Sequence, residues 1–85
     1  MPRLTSRQPK PPKNKQLEAL GLFIHGRRDA LDYTLRDVAE LGKINHNTIW
    51  SIEAGHVSPH FSTMVILSEV LQFDLNDARK VMENA

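Results

Sequence analysis

The stretch that decides the fold runs from residue 33 to residue 59 and reads YTLRDVAELGKINHNTIWSIEAGHVSP. Thr34 can accept a hydrogen bond from an early backbone N–H, and Asp37 stands where the second half of a capping box belongs, so Thr34 begins a helix. Asn45 is a strong N-cap and predicts a second helix from His46 to Ala54. The stretch is therefore predicted to be two short helices joined by a tight turn.

Apolar side chains in this stretch recur at helical spacing, so each helix has a side that faces the core. The positions predicted to be buried are Val38, Ala39 and Leu41 in the first helix and Ile49 and Ile52 in the second. Gly42 ends the first helix, and Gly55 lets the chain leave the second with a positive φ.

Outward from this stretch, the same spacing predicts three more helices. The first runs from Leu17 to Ala30 or Leu31, with Leu20 and Ile24 facing the core. The fourth is capped by Ser62 or His60 and has an apolar stripe of Phe61, Met64, Leu67 and Leu71. The fifth starts at Asp74 or Asn76, with Ala78, Val81 and Met82 on its apolar side. No stretch alternates with period two. The predicted fold is all-α, a compact bundle of about five short helices.

Size and composition exclude several classes of protein. The chain has 85 residues and no cysteine, so a disulfide framework and a thiolate metal site are excluded. His56 and His60 are four apart, but Pro59 lies between them and no third ligand is near, so no metal is expected. No catalytic constellation appears, and we expect neither an enzyme nor a cofactor. No apolar run approaches the roughly 18 residues that span a bilayer and no secretory signal is visible, so we expect a cytoplasmic protein without a membrane partner.

Charge is distributed unevenly along the chain. Residues 1–16 carry five cations and no anion, whereas residues 17–85 carry six cations and ten anions. Four of the five prolines fall in the first twelve residues. We interpret residues 1–16 as a flexible arm that either lies along nucleic-acid phosphates or acts only as a solubilising tail. Its cations are Arg3, Arg7, Lys10, Lys13 and Lys15.

The stretch from residue 33 to residue 59 resembles the helix-turn-helix of the phage repressor and Cro family, grouped with the xenobiotic-response-element regulators. The matching residues are Thr34, Ala39, Ile44, Asn45, Thr48, Ile49, Ile52, Glu53, Gly55 and Pro59. The resemblance extends from Leu20 to about Ala78 and leaves out the basic arm. It implies a lambda-repressor-like domain over residues 17–85, with a structural salt bridge between Arg28 and Glu53.

The resemblance also implies which residues meet DNA, because the second helix of the motif enters the major groove. The base-reading residues would be His46, Asn47, Trp50 and Ser51; the phosphate contacts would be Thr34, Lys43, His56, Ser62 and Thr63. Trp50 has a second interpretation, packing against the first helix or the arm.

Three residues depart from the family pattern. Lys43 occupies a turn position where the family prefers glycine, so the turn is open to reshaping. Leu35 replaces a glutamine that grips a phosphate, so we expect that contact to be missing. Arg27 takes an apolar position of the first helix, with its stem at the core edge.

The function implied is a sequence-specific transcriptional repressor that binds a palindromic double-stranded DNA operator as a homodimer, through Val81 and Met82 of the last helix. A stand-alone domain of this kind resembles a plasmid, phage or other mobile-element regulator acting at the bacterial nucleoid. The alternative is an antitoxin-like, autoregulatory module of a toxin–antitoxin pair, whose basic arm folds onto the toxin. A second regulatory protein is a further partner that stays open. An activator that contacts RNA polymerase also stays open.

Overall fold

A computed structural model describes residues 10–85, which form five helices and, within that range, no strand. The helices are α1 (Lys15–Ala30), α2 (Leu35–Gly42), α3 (His46–Glu53), α4 (Phe61–Val70) and α5 (Leu75–Glu83). Helix α1 packs against α3 and α5, and α2 packs against α3 and α4. The predicted all-α bundle of five short helices is therefore confirmed.

Every helix supplies at least one side chain to a single core. The buried apolar residues are Leu17, Leu20, Ile24, Val38, Ile49, Ile52, Leu67, Leu71 and Ala78. Ala39, Ile44, Met64 and Met82 are half-buried against this core. The helical spacing of these residues was sufficient to predict their place in the core.

Two predicted core residues are exposed instead. Leu41 is 57% exposed, because Val38 and Gly42 occupy the buried side of α2 and Leu41 lies at its edge. Phe61 is 75% exposed: it is the first residue of α4 and lies at the rim of a surface groove rather than under the helix.

Side-chain caps define where the helices begin. The Asn14 side chain accepts a hydrogen bond from the Leu17 N–H at 2.8 Å, so α1 begins two residues earlier than predicted. Lys15, which we assigned to the arm, is therefore the first residue of α1. The predicted capping box of Thr34 and Asp37 and the predicted cap Asn45 are both present.

The turn between α2 and α3 has a left-handed residue that is not glycine. Lys43 has a φ of 56° and a ψ of 44° and forms the C-cap of α2. The preceding Gly42 is buried, and a Cβ there would lie 2.9 Å from Ile66 Cγ2. Gly42 therefore lies where a side chain would be too close to Ile66, and Lys43 adopts the strained left-handed conformation.

Arg27 does more than line the core edge. Its Nε and Nη2 donate to the Leu71 carbonyl oxygen at 3.3 and 3.1 Å, and Nη2 also donates to the Gln72 carbonyl oxygen at 3.0 Å. These bonds place a cation at the C-terminal end of α4, where it suits the helix dipole. An arginine at this position joins α1 to α4 by its head group.

Candidate nucleic-acid interface

Helix α3 is divided between the core and the surface. Ile49 and Ile52 are almost completely buried, whereas His46, Asn47 and Trp50 are exposed and Ser51 is half-buried. With 3.6 residues per turn, Asn47 lies nearly opposite the buried pair. The four residues predicted to read bases therefore share one face, which we call the reading face.

The orientation of α3 is fixed by a nearly buried ion pair. Arg28 of α1 donates from Nε to Glu53 Oε2 at 2.7 Å and from Nη2 to Oε1 at 2.9 Å. Its Nη1 donates to the Tyr33 carbonyl oxygen at 2.9 Å, and His25 Nδ1 lies 3.0 Å from Glu53 Oε1. The predicted Arg28–Glu53 salt bridge is thus present as a two-bond pair between α1 and α3.

The same ion pair sets the protonation of Arg28. Hydrogen bonding to Glu53 raises the pKa of Arg28 above its usual value, against the lowering effect of burial. The guanidinium is therefore charged throughout the physiological pH range.

Trp50 packs against the ring of His56, just beyond the end of α3. Its indole is 42% exposed and meets the ring of His56 edge to face, with 5.3 Å between centroids and 75° between planes. This contact leaves much of the indole at the surface of α3, beside Asn47 and Ser51.

The residues predicted to contact phosphates differ in the exposure of their side chains. Lys43 and Ser62 are exposed, and Thr63 is half-buried. His60 provides no side-chain hydrogen bond to the first turn of α4, so backbone N–H groups beside Ser62 and Thr63 are suited to an anion.

At the start of α2, the Asp37 carboxylate already accepts a hydrogen bond from the N-cap backbone. Asp37 Oδ2 accepts from the Thr34 N–H at 2.8 Å, and Thr34 Oγ1 accepts from the Asp37 N–H at 3.0 Å. The N–H of Thr34 therefore has an acceptor within its own helix, and only the exposed hydroxyl is left to donate elsewhere.

Arg36 is a surface residue that the sequence analysis missed. It is exposed in the first turn of α2 and lines a shallow groove with Thr34 and with His46, the first residue of α3. A cation in a first helical turn opposes the helix dipole. This unfavourable placement is the signal by which the sequence could have indicated that Arg36 has a role other than helix formation.

Part of the predicted arm lies against the end of α3. The Lys13 N–H donates to the Gly55 carbonyl oxygen at 2.8 Å, and His56 Nε2 lies 3.1 Å from the Lys10 carbonyl oxygen. The side chains of Lys10, Lys13 and Lys15 are exposed. Arg3 and Arg7 lie outside the described residues.

A second surface feature is an apolar groove between α1, α4 and α5. Its apolar lining is Phe61, Met64, Leu75, Ala78 and Met82, with Gln16, Arg79 and Glu83 at the edges. Of the two residues predicted to form a dimer contact, Met82 lines the groove, and Val81 is half-buried outside it.

Two other classes of site find no support in the described part of the chain. Within residues 10–85, no three His, Asp or Glu side chains are grouped so that they could hold a metal ion. Over the same range, no helix combines the length and the apolar character needed to cross a bilayer.

A bundle in which a capped helix, a tight turn and a second capped helix present a polar face defines the helix-turn-helix class of DNA-binding domains. The helix-turn-helix family model matches residues 24–77, well over half of the chain. The chain belongs to this family, in its Cro/C1-like, xenobiotic-response-element form, which comprises DNA-binding transcription regulators and not enzymes.

The fold is shared with solved structures of the clp gene regulator ClgR from Corynebacterium glutamicum. One structure superposes with a TM-score of 0.75 at 21% identity, over 88% of this chain and 96% of that one. A second gives a TM-score of 0.75 at 20% identity, over 86% of this chain and 78% of that one. Among curated proteins, no sequence is significantly similar to this chain.

Proposed function

We propose that this protein is a sequence-specific transcriptional repressor that binds a palindromic operator as a homodimer, with α3 in the major groove. The observation that carries the proposal is the division of α3. Ile49 and Ile52 and the Arg28–Glu53 pair fix its inner side, which leaves Asn47 free at the centre of the outer side.

Each residue of the reading face has chemistry that suits a base edge. The Asn47 amide matches the N6 and N7 groups of adenine in a bidentate contact. Among residues 10–85, no hydrogen bond engages this side-chain amide, and the backbone N–H of Asn47 donates to Asn45 Oδ1. His46 can donate to guanine, Ser51 can bond any base, and the exposed indole edge of Trp50 suits a thymine methyl group.

Phosphate contacts would flank the reading face on both sides. On one side, Arg36 of α2 would supply the phosphate contact that Leu35 cannot, beside the Thr34 hydroxyl. On the other, Ser62 and Thr63 stand at the start of α4, whose first turn lacks a side-chain cap. Lys43 in the turn completes this set. These contacts set register and affinity, while α3 sets sequence preference.

The homodimer would form through the apolar groove of α1, α4 and α5. A single recognition helix reads few base pairs, so operator specificity requires two half-sites about one helical turn apart. Among residues 10–85, Phe61 is the most exposed of the large apolar side chains, and Met64, Leu75 and Met82 continue the same surface. A second copy of this chain that covers the groove would remove this surface from water.

The test is a binding titration against genomic fragments that include the promoter upstream of the protein's own gene. The proposal expects at least one fragment to bind about a thousandfold more tightly than random DNA at physiological salt. A reporter fused to that fragment should lose expression when the protein is supplied, whereas an activator would raise it. If no fragment outcompetes random DNA and a neighbouring protein co-purifies instead, the antitoxin-like function replaces this one.

A further inference from the structure

A pair of aromatic rings lies at the C-terminal end of the reading face. Trp50 is 42% exposed, and it is the only tryptophan of the chain. Its ring centroid lies 5.3 Å from that of His56, with 75° between the two planes. This edge-to-face arrangement is one that aromatic rings favour. The indole therefore has one neighbour that restricts its orientation and a large part of its surface free to meet a ligand.

His56 is itself held at two points. Its backbone N–H donates to the Ser51 carbonyl oxygen at 2.9 Å, which fixes the residue to the end of α3. Its Nε2 lies 3.1 Å from the Lys10 carbonyl oxygen, which can only accept, so the ring donates from this nitrogen. A neutral imidazole has a single N–H, and the ring that makes this bond has none left to donate to a phosphate.

The position of Trp50 relative to Asn47 determines which base pair the indole would meet. Residues three apart lie side by side on one face of a helix, about 4.5 Å apart along its axis. Base pairs of duplex DNA stack about 3.4 Å apart. With α3 in the major groove, the indole would lie about one or two base pairs from the pair that Asn47 reads.

The chemistry of the indole selects the group that it would recognise there. His46, Asn47 and Ser51 carry polar groups, so Trp50 is the one large apolar side chain of the reading face. The apolar group that a base pair presents in the major groove is the C5 methyl of thymine. A 5-methylcytosine presents the same methyl group at the same ring position.

We propose that Trp50, held in orientation by His56, recognises the C5 methyl group of a pyrimidine about one or two base pairs from the pair that Asn47 reads. His56 is then a positioning residue for the indole rather than a phosphate contact. This inference rests on the proposed function and adds a form of regulation to it. Methylation of a cytosine at this place would strengthen binding to the operator.

The first test removes the methyl group alone. Deoxyuridine replaces each thymine of the operator in turn, which deletes the C5 methyl and keeps the base pairing. The parent should bind about fourfold more weakly when one particular thymine of a half-site is replaced, because a group of methyl size leaves an apolar contact. For Trp50→Ala the affinities for the thymine and deoxyuridine operators should be equal at that position.

The second test separates a positioning role of His56 from a phosphate contact. His56→Ala should reduce the fourfold ratio of the two affinities to less than twofold, because the indole loses its neighbour. His60→Ala is the control, since His60 is exposed and its side chain makes no capping bond to α4. It should keep the fourfold ratio. If His56→Ala weakens binding to both operators equally, His56 is a phosphate contact and the proposal is overturned.

The third test distinguishes the two sources of the methyl group. Cytosine and 5-methylcytosine, each paired with guanine, replace the thymine that the first test identifies. The methylated operator should bind the parent about fourfold more tightly than the unmethylated one, and Trp50→Ala should bind the two equally. A thymine effect without a 5-methylcytosine effect would show that the contact depends on other groups of thymine, which would overturn recognition of the methyl group.

The single tryptophan also gives a measurement that does not need DNA. In the free parent and in His60→Ala, the time-resolved fluorescence anisotropy of Trp50 should decay with the tumbling of the whole molecule. In His56→Ala it should gain a component faster than a nanosecond, because the indole is released. The same fast component in the parent would contradict an indole held by His56.

Failure of this inference is distinct from failure of the proposed function. If the parent binds an operator but no thymine shows a methyl effect that requires Trp50, only the recognition of the methyl group fails. If the parent binds no duplex better than random DNA, the repressor function itself fails, and the recognition of the methyl group fails with it.

Discussion

Lys43, which we propose as a phosphate contact, has a backbone conformation that costs stability. Its φ of 56° lies in the left-handed region, where a side chain costs about 1–2 kcal/mol. Glycine at the same place would avoid that cost but would give up about 0.5–1 kcal/mol of backbone entropy. The sequence pattern left this turn open to reshaping; in the structure, Lys43 takes the left-handed conformation itself.

Lys43→Gly should therefore raise the free energy of unfolding by about 0.5–1 kcal/mol in urea titrations while operator affinity falls. The matched control is Gln72→Gly, because Gln72 has a φ of 59° in the turn between α4 and α5. It should gain similar stability and leave DNA binding unchanged. A Lys43→Gly protein that binds the operator as tightly as the parent would remove Lys43 from the phosphate contacts.

Arg36 is the second proposed phosphate contact whose placement is locally unfavourable, because a cation in the first turn opposes the helix dipole. Arg36→Gln should weaken binding to operator and to random DNA by the same factor and lower the salt slope by about one, since a phosphate contact has no sequence preference. Lys80→Gln, at an exposed position of α5 outside the lining of the apolar groove, is the control and should change neither quantity. A loss confined to certain operator variants would instead make Arg36 a base-reading residue.

At the scale of elements, the ion pair between α1 and α3 is the contact that aims the recognition helix. Glu53→Gln keeps the shape of the side chain but leaves the nearly buried Arg28 charge without its partner, and it should lower the free energy of unfolding by about 3 kcal/mol. Glu83→Gln breaks the exposed pair with Arg79 and should cost less than about 0.5 kcal/mol. Chemical denaturation measures both.

The pH dependence of this element follows from the sign of the Arg28 shift. Because the folded-state pKa is raised, the contribution of Arg28 is fully present below the ordinary arginine pKa and is lost only above it. The free energy of unfolding of the parent and that of Arg28→Met should therefore differ by an amount that titration of Arg28 does not change between about pH 7 and pH 10. A difference in free energy of unfolding that becomes smaller as the pH rises through this range, after correction for the groups that titrate in both proteins, would contradict the raised pKa of Arg28.

Sequence patterns predicted the elements well because their signals are local. The capping box of Thr34 and Asp37, the cap Asn45 and the terminal Gly55 each act within a few residues, and all appear as expected. Leu41 and Phe61 were misplaced because apolar character alone does not say which side of a short helix is covered. Their exposure depends on neighbours from other helices, which spacing within one helix cannot supply.

At the scale of the whole molecule, contacts between distant parts of the chain bring residues 10–13 against the end of α3. The bonds from Lys10 and Lys13 to the end of α3 span more than 40 positions, so no local pattern indicates them. The resemblance to known repressors predicted the reading face of α3, because that face follows from helix geometry. It did not predict that His56 is engaged by the chain ahead of α1.

The apolar groove makes the oligomeric state testable. Phe61→Glu adds a charge to a side chain that is 75% exposed, so the fold should tolerate it while a dimer that covers the groove should not form. Sedimentation equilibrium should show a monomer, and operator affinity should fall by two or more orders of magnitude. Leu22→Glu is the control, since Leu22 is 64% exposed outside the groove lining. Equal sedimentation of both variants and the parent would place the dimer contact elsewhere.

The claim that α3 reads base edges through Asn47 is tested most directly by measuring the affinity of the parent and of Asn47→Ala for the operator and each of its single-base-pair variants. Asn76→Ala, at an exposed position of α5, serves as the control. The account predicts that Asn47→Ala loses about 1–3 kcal/mol of discrimination at one base pair of each half-site and keeps the parent's preferences elsewhere. A uniform loss across all variants, or no loss at all, would contradict it.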